Sequence, residues 1–203
     1  PAGIMAAIHA SKKHNVTILD GNDRIGKKLF ITGKGRCNVT NSKDISEFFD
    51  YIPGNPHFLY SALYSYTNED TMNFFENVGI KLKVERGGRV FRMSEKSSDI
   101  IKGLSIGLKE SNVQVKLNSK VTNIIYDANK IVGVEINNST KLYGDYFIIA
   151  TGGASYPLTG SRGEGQKFAK KLGHTIIELK PSLVPIELNE PWLKDLMGLS
   201  LKN

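Results

Sequence analysis

The sequence predicts an α/β fold that combines part of a nucleotide-binding unit with a helical insertion and an antiparallel β-meander. Three observations lead to this prediction. The chain opens on a helical pattern and a β-branched strand that ends in an acid, which is the order found in the second half of a βαβ nucleotide-binding unit. Two segments rich in glycine, residues 26–41 and 151–165, follow strand patterns. A run of strands broken by polar turns lies between them.

The first elements are a helix and a short strand. The stretch PAGIMAAIHASKKHN places Ile4, Ala7 and Ile8 on one helical face, and NVTILD is typical of a buried strand ending at Asp20. In dinucleotide folds a glycine-rich turn holds a pyrophosphate at a helix N-terminus, and an acid about 20 residues later binds a ribose. The sequence Pro1-Ala2-Gly3 followed by Asp20 fits this spacing.

The middle of the chain is predicted from local signals. Residues 42–80 are expected to be mainly helical, with Thr67 or Asn68 as an N-cap and Gly79 as a stop. The stretch IKLKVERGGRVF predicts a hairpin that turns at residues 87–88. Ser97 or Ser98 is expected to cap the next helix, which carries apolar residues on one side.

Strands dominate the next part of the chain. Polar turns at residues 127–129 and 137–139 divide residues 113–143 into the strands of a meander, one of which opens at Val121. The apolar stretch YFIIA, residues 146–150, predicts a further buried strand. A last helix is expected over residues 164–172, ending at Gly173.

Composition excludes several classes of protein. The 203 residues are enough for one domain or slightly more, and the single cysteine excludes an internal disulfide framework. We find no apolar stretch of membrane-spanning length and no secretory signal, so the cytoplasm is the expected location. The four histidines have no ligand-like spacing, so no metal site is predicted. The net charge of +7 favours a lysine-rich solvated surface over nucleic-acid binding, because the lysines are spread along the chain.

The stretch GKKLFITGKGRCNVTN, residues 26–41, is unusual in composition. Glycines permit left-handed backbone and close approach of a ligand, and successive N–H groups in such a loop form an anion-binding concavity. The stretch also contains cations, amides and the single cysteine, which are Lys27, Lys28, Lys34, Arg36, Asn38, Asn41 and Cys37. Cys37 has no CxxC partner, so we favour a small buried residue over a redox thiol.

The stretch FIIATGGASYPLTGSRGEG, residues 147–165, is the second unusual segment. An apolar strand that ends in Ala-Thr-Gly-Gly places small residues where a sheet meets a bound ligand. A glycine-rich loop without a ligand is the alternative. The presence of three such elements in one chain argues against that alternative.

The chain resembles the BaiN/RdsA-like family of FAD-dependent oxidoreductases, which are bacterial flavoproteins related to the glutathione-reductase class. The resemblance rests on GKKLFITGKGRCNVTN, ATGGASYPLTGSRGEGQKFAKKLGH and PSLVPIEL. It is strongest in residues 1–41 and 145–188. It implies a Rossmann-like FAD-binding domain.

The resemblance also implies roles for individual residues. Ala2 and Gly3 would belong to the FAD pyrophosphate motif, with Gly3 as its last glycine, and Asp20 would bind the ribose. The residues that would line the cofactor near the pyrophosphate and the flavin are Lys28, Gly33, Gly35, Arg36, Cys37 and Asn38. The backbone of Val121 would meet the adenine. Thr151, Gly152 and Gly153 would form the turn beside FAD.

The chain departs from the family pattern in two ways. The family usually has glycine where Lys34 stands, which affects the path of the loop. Family members are about twice as long, so both ends of the chain look cut and the first strand with its leading glycines is missing. We therefore expect residues 1–187 to be the FAD-binding domain and residues 188–203 to begin an inserted second domain.

The resemblance implies an FAD-dependent oxidoreductase that takes hydride from NAD(P)H and acts on an unknown small-molecule substrate. A positive charge from Arg36 or Lys34 near the flavin would stabilise its reduced, anionic form. No acid–base group stands out, so we name no catalytic residue. Two alternatives stay open, a flavin-dependent protein that modifies nucleic acid such as tRNA, and an inactive fragment that holds FAD poorly.

Overall fold

A computed structural model describes residues 1–128, 130–181 and 189–199 of the chain. The helices are α1 (Ala2–Ala10), α2 (Lys27–Ile31), α3 (Tyr60–Ser65), α4 (Asn68–Asn77), α5 (Ser97–Glu110) and α6 (Glu164–Lys171). The strands are β1 (Thr17–Leu19), β2 (Thr40–Asn41), β3 (Leu82–Glu85), β4 (Arg89–Arg92), β5 (Gln114–Lys116), β6 (Val121–Asp127), β7 (Lys130–Ile136) and β8 (Thr140–Tyr143).

The first layer is a pair of parallel strands with helices packed against it. β1 pairs with β5 so that Ile18 lies opposite Val115, and α5 is the last element of the long connection between the two strands. A parallel pair needs such a crossover connection. This arrangement confirms the α/β class, although β5 pairs with β1 rather than with the meander to which the sequence pattern assigned it.

The core lies between α1, α4 and α5. It is built from apolar side chains that are almost fully buried, which are Ile4, Ile8, Cys37, Phe75, Ile80, Ile100, Leu104 and Leu108. α5 contributes Ile100, Leu104 and Leu108, which share one face because residues three to four positions apart lie on the same side of a helix. The predicted apolar face of α1 is confirmed, since Ile4, Ala7 and Ile8 are buried.

The insertion after β2 is mainly helical, as predicted. Its first part forms 3₁₀ turns at Ile45–Tyr51 and Pro56–Leu59, followed by α3 and α4. Thr67 caps α4 as predicted: its Oγ1 accepts from the Asp70 backbone N at 3.1 Å, and Asp70 Oδ2 accepts from the Thr67 backbone N at 2.8 Å. The chain leaves the helix through Gly79 at φ +81°.

Two antiparallel sheets complete the described part of the chain. The predicted hairpin forms from β3 and β4, turns through Gly87 and Gly88, and adds β2 at its other edge. The predicted meander forms from β6, β7 and β8 with turns at the expected positions. The predicted last helix is α6, which ends before Gly173.

Three local predictions are wrong. Residues 146–150 form no strand, and the side chains of Ile148 and Ile149 are 69% and 44% exposed. A strand needs a neighbouring backbone to satisfy its N–H and C=O groups, and the described residues place none there. β1 is half-buried rather than buried, because β5 is its one strand neighbour among the described residues.

The third correction concerns the start of α5. Neither Ser97 nor Ser98 is its N-cap, because Lys96 occupies that position and Ser97 is the first helical residue. The hydroxyl of Ser97 instead donates to the carbonyl oxygen of Phe30 at 2.8 Å. The serine therefore fastens α5 to α2 rather than satisfying the N–H groups of its own helix.

Among the described residues, no helix has the length and apolar character needed to cross a membrane. The PSLVPIEL strand lies almost entirely outside the described residues, as does Asn129 in the first meander turn.

Candidate functional site

The N-terminus of α1 is the first part of the candidate site. The first backbone hydrogen bond of the helix runs from Met5 N to Pro1 O at 3.0 Å, and no side chain caps the N–H groups before it. A Cβ atom added to Gly3 would lie 3.2 Å from the Cβ of Ala150, so glycine permits the helix start to lie against the second glycine-rich segment. The N-terminal amides and the helix dipole favour an anion at this position.

Asp20 lies at the end of β1, beside the start of α1. Its backbone N donates to Lys116 O at 3.0 Å, which keeps it in register with β5. Its Oδ1 accepts from the Asn22 backbone N at 2.9 Å, whereas Oδ2 accepts no hydrogen bond from the described residues. The Asp20 carboxylate lies near Pro1, the residue that precedes α1.

Asn22 connects Asp20 to the second glycine-rich segment. Its Nδ2 donates to Asp20 Oδ1 at 3.0 Å and to Thr159 O at 3.2 Å. A Cβ atom added to Gly160 would lie 2.6 Å from Asn22 Nδ2, and Gly160 has φ +98°. Glycine is therefore required at position 160 on both steric and conformational grounds.

Lys28 connects the two glycine-rich segments to each other. Its Nζ lies 3.5 Å from the hydroxyl oxygen of Ser155. The neighbouring Lys27 pairs with Asp23 at 2.7 Å, whereas Lys28 has no carboxylate partner within 4 Å among the described residues. The ammonium group of Lys28 is therefore available to an anion held between the two segments.

The turn at residues 151–153 is fixed by α6. Thr151 Oγ1 accepts from the Gly165 backbone N at 3.1 Å, so this hydroxyl satisfies one of the unpaired amides in the first turn of α6. The carbonyl oxygen of Gly153 accepts from Gly163 N at 3.3 Å, and Gly152 adopts φ +73°. The hydroxyl of Thr151 thus has a structural contact that the sequence did not reveal.

The segment before Val121 lies beside Asp20. The backbone N of Ser119 donates to Asp20 O at 2.9 Å, and Asn118 N donates to Asn22 O at 2.8 Å. Val121 then begins β6 opposite Ile136. These contacts bring Gly3, Asp20, Lys28, the segment before Val121 and the turn at residues 151–160 together at one end of the parallel strand pair.

The remaining predicted residues face the β3–β4 hairpin and the core. Residues 33–35 form a left-handed turn, in which Lys34 has φ +55°, and Cys37 has φ +56°. Asn38 Nδ2 donates to Val90 O at 3.0 Å and to Thr40 O at 2.9 Å. The glycine-rich loop is therefore anchored to β4 by its own polar side chains.

Arg36 is held by a network of charges. Its guanidinium lies 4.2 Å from the centre of the Phe91 ring, pairs with Glu95 at 3.1 Å and also pairs with Glu85. Lys83 bridges the same two carboxylates. Hydrogen bonding from Lys83 and the charge of Arg36 hold the pKa of Glu85 and of Glu95 below the usual range. Arg36 therefore has a structural role, and its action on a flavin stays a prediction.

Cys37 is buried in the core, with 1% of its surface exposed. Burial raises the pKa of its thiol, against a smaller opposite effect of a hydrogen bond with Thr32. The structure thus agrees with the expectation of a small buried residue. Within the described ranges, no group of three or more His, Cys, Asp or Glu residues is arranged to hold a metal ion.

Sequence reasoning missed Asn22, Ser155 and Thr159, which connect Asp20 and the first glycine-rich segment to the second one. One signal was present for the first of them. An Asp followed two residues later by Asn favours a local turn in which the acid accepts from the backbone of the later residue, as Asp20 does here.

The family of the chain follows from a comparison of its sequence with protein families. Residues 1–194 match the family described as HI0933-like protein Rossmann domain. The chain belongs to this family. The match confirms the resemblance that the glycine-rich segments carry, and covers nearly the whole chain.

Named relatives of this HI0933-like chain are bacterial enzymes. A ribosomal RNA dihydrouridine synthase of Haemophilus influenzae is 32% identical over 98% of this chain and 50% of its own length. A 3-dehydro-bile acid delta(4,6)-reductase of Clostridium scindens is 29% identical over 93% of this chain and 46% of its own length. A ribosomal RNA dihydrouridine synthase of Escherichia coli is 29% identical over 96% of this chain and 48% of its own length. The chain spans about half the length of these relatives.

A solved structure supports the fold. The open conformation of a flavocytochrome c3 fumarate reductase matches with a TM-score of 0.55 and 19% identity, over 84% of this HI0933-like chain and 38% of that chain. At this identity the match shows a shared fold. The Rossmann-like class predicted from the sequence is thereby confirmed.

Proposed function

We propose that this chain forms the FAD-binding part of a flavin-dependent reductase that adds hydrogen across a carbon–carbon double bond. The observation that carries the proposal is the convergence of the α1 N-terminus, Asp20 and the second glycine-rich segment at one end of the parallel strand pair. Membership of the HI0933-like family supports it.

The residues at this site fit FAD. The uncapped amides of α1 and the ammonium group of Lys28 balance the negative charge of a pyrophosphate. Asp20 Oδ2 has room to accept from ribose hydroxyls, since its other oxygen already accepts from Asn22. When bound and reduced, FAD supplies a hydride to an electron-poor carbon atom. The chain's own part is to bind and orient the cofactor.

The names of the relatives support the class of reaction. Dihydrouridine differs from uridine by the saturation of one carbon–carbon double bond, and a delta(4,6)-reductase acts on carbon–carbon double bonds. Both reactions need two electrons and two protons. We propose NADH or NADPH as the hydride source, which agrees with the expectation from the sequence.

Titration of FAD into the 203-residue chain, followed by flavin fluorescence, tests the cofactor. We expect saturable binding, and a Kd that rises by about tenfold in Asp20→Asn and in Lys28→Gln, because each loses a charged contact. Lys12→Gln, an exposed lysine at the end of α1, is the control. The absence of saturable binding would favour the inactive-fragment alternative. Equal FAD affinity in the parent and in all three variants would show that the cofactor binds elsewhere.

The hydride source is tested separately. The flavin-loaded protein is mixed with NADH or NADPH without oxygen, and the loss of visible flavin absorbance is followed. Faster bleaching with one of the two nucleotides identifies the donor. A flavin that both nucleotides leave oxidised, although dithionite reduces it, contradicts the proposal of NAD(P)H.

A uridine of ribosomal RNA is a candidate substrate of this reductase. It is favoured by the two relatives named ribosomal RNA dihydrouridine synthase, and the net charge of +7 is compatible with a polyanion. Mass spectrometry of ribosomal RNA from a host strain with and without the gene tests this candidate. Equal dihydrouridine content would remove it, as would RNA binding that does not weaken with salt.

A further inference from the structure

A patch of exposed aromatic side chains lies on the helical insertion. It consists of Phe49, Tyr60 and Tyr64, which we call the aromatic patch. Tyr60 is 54% exposed and Tyr64 44%, Phe49 is half-buried, and Tyr51 and Phe58 are exposed on the same segment. Exposed apolar side chains are common singly, but their grouping on one surface marks a site of interaction. None of these residues contributes to the candidate cofactor site.

The rings of the aromatic patch support one another. Phe49 stacks on Tyr60 with ring centres 5.4 Å apart and on Tyr64 at 6.1 Å, and Tyr60 and Tyr64 are 4.6 Å apart. Such ring pairs prefer centre separations of about 4.5–7 Å. The side chains are therefore held in place before a partner arrives, so docking orders few additional torsions.

The charge of this segment opposes that of the rest of the chain. Residues 44–66 contain Asp44, Glu47 and Asp50 but no lysine or arginine, in a chain with net charge +7. Hydrogen bonds from the Ser46 side chain and backbone lower the pKa of Asp44, so it is ionised at neutral pH. Lys43, just before the segment, pairs with Glu47 at 3.1 Å and lies over the Tyr51 ring, with its Nζ 4.6 Å from the ring centre. Tyr51 therefore already holds a cation, whereas the carboxylates of Asp44 and Asp50 have no lysine or arginine partner among the described residues.

The aromatic patch lies next to the glycine-rich loop along the chain. Two residues separate the segment that carries it from β2, which contains the last residue of that loop, Asn41. Asn68 at the start of α4 closes the segment, because its Nδ2 donates to Asn41 O at 2.8 Å and to Lys43 O at 2.9 Å. A partner on this surface would therefore lie beside β2, where the glycine-rich loop ends.

We propose that the aromatic patch docks an arginine-rich segment of a partner protein. A guanidinium group stacks on aromatic faces and also pairs with carboxylates, and the segment offers both groups. The chain already contains this arrangement, since Arg36 lies over Phe91 and pairs with Glu85 and Glu95. Surfaces that stack nucleic-acid bases combine aromatic rings with cations, whereas this segment carries carboxylates. The proposal does not depend on the proposed function.

Fluorescence anisotropy of a labelled nona-arginine peptide tests the proposal on the full 203-residue chain. The net positive charge of the chain disfavours nonspecific binding of this peptide, so we expect saturable binding at a local site. The double variant Tyr60→Ala/Tyr64→Ala should weaken binding by about tenfold, because two stacking faces are lost. The double variant Tyr60→Phe/Tyr64→Phe keeps the rings and should bind as the parent does.

The matched control removes two tyrosines elsewhere. Tyr126 and Tyr143 on the meander are 58% and 64% exposed, and Tyr126→Ala/Tyr143→Ala should leave binding unchanged. The proposal would be overturned if this control lost as much affinity for nona-arginine as Tyr60→Ala/Tyr64→Ala does. It would also be overturned if nona-lysine bound as tightly as nona-arginine, or if nona-arginine did not bind. The proposal would also fail if a nine-residue oligouridylate bound more tightly than nona-arginine and Tyr60→Ala/Tyr64→Ala weakened that binding. This result would assign the surface to RNA. If the parent chain self-associated in analytical ultracentrifugation and Tyr60→Ala/Tyr64→Ala abolished this, the surface would instead bind a second copy of the chain.

Discussion

Asn22 donates from its side-chain Nδ2 to the carbonyl oxygen of Thr159 at 3.2 Å and so connects two parts of the candidate site that are distant along the chain. The same nitrogen donates to Asp20 Oδ1 at 3.0 Å. One amide group therefore fixes both the acid after β1 and the turn of the second glycine-rich segment.

Replacement of Asn22 by alanine should destabilise the chain and weaken FAD binding together. We expect the free energy of unfolding to fall by about 1–2 kcal/mol, because two hydrogen bonds are lost and Asp20 loses a donor. Urea denaturation followed by circular dichroism measures this change. Asn73→Ala, on an exposed position of α4, is the control. An unchanged midpoint for Asn22→Ala would show that the connection contributes nothing to stability.

Replacement of Lys34 by glycine should stabilise the chain. Lys34 has φ +55°, and an L-residue in the left-handed region costs about 1–2 kcal/mol relative to glycine. Glycine loses more backbone entropy on folding, by roughly 0.5–1 kcal/mol, so the expected net gain is about 0.5 kcal/mol. Lys34→Ala removes the charge and keeps the strained backbone, so it should bring no gain. If both variants gained a similar free energy of unfolding, the cause would be the loss of the lysine charge rather than the relief of backbone strain.

Lys34 also illustrates what the sequence predicts well. Comparison with the family pattern identified it as the residue out of place in the loop, and the structure gives it a conformation that suits glycine. The N-cap of α4, the hairpin turn at residues 87–88 and the apolar face of α1 were predicted from local sequence patterns. Each depends on residues a few positions apart, where sequence determines geometry directly.

Contacts between distant parts of the chain could not be predicted in this way. The guanidinium of Arg36 meets Glu85 at the end of β3 and Glu95 between β4 and α5, and nothing in local spacing indicates which carboxylates come close. The stretch at residues 146–150 has the composition of a buried strand. Whether it forms one depends on a neighbouring backbone, which composition does not reveal.

The network around Arg36 should make stability depend on pH. Lys83 and Arg36 lower the folded-state pKa of Glu85 and of Glu95, so the stabilisation is present above the unfolded pKa and is lost as pH falls through the folded values. The Tm of Glu85→Gln/Glu95→Gln should lie below that of the parent at pH 7, and the two should converge below about pH 4.

Salt provides a second check on the same network. Since the pairs are partly exposed, sodium chloride should reduce the Tm difference at pH 7. Glu76→Gln, on an exposed residue of α4 without an ion pair among the described residues, should match the parent at both pH values. A difference that persists unchanged into acid would point to packing rather than charge.

Cys37 should resist alkylation in the folded chain. It is 1% exposed, and burial raises the pKa of its thiol, so both access and thiolate fraction are low. Iodoacetamide at pH 8 should label little of the native protein and all of it in concentrated urea, as measured by intact mass. Rapid labelling without urea would show that the loop opens and would restore the thiol as a candidate reactive group.

Replacement of Ser97 by alanine should destabilise the attachment of α2 to α5. The Ser97 side chain is almost fully buried, and its hydroxyl donates to Phe30 O at 2.8 Å. Its loss leaves a carbonyl group without this donor, at a cost of about 1–2 kcal/mol in the free energy of unfolding. Because α2 carries Lys28, the variant should also bind FAD more weakly.

The neighbouring serine offers a matched control for this prediction. Ser98 is exposed on the first turn of the same helix, so Ser98→Ala makes the same chemical change without removing the contact to Phe30. Urea denaturation and FAD titration of both variants separate the two effects. If Ser97→Ala lost stability but bound FAD as the parent does, the position of Lys28 would not depend on α5. Equal stability of the two variants would show that the buried hydroxyl contributes no more than an exposed one.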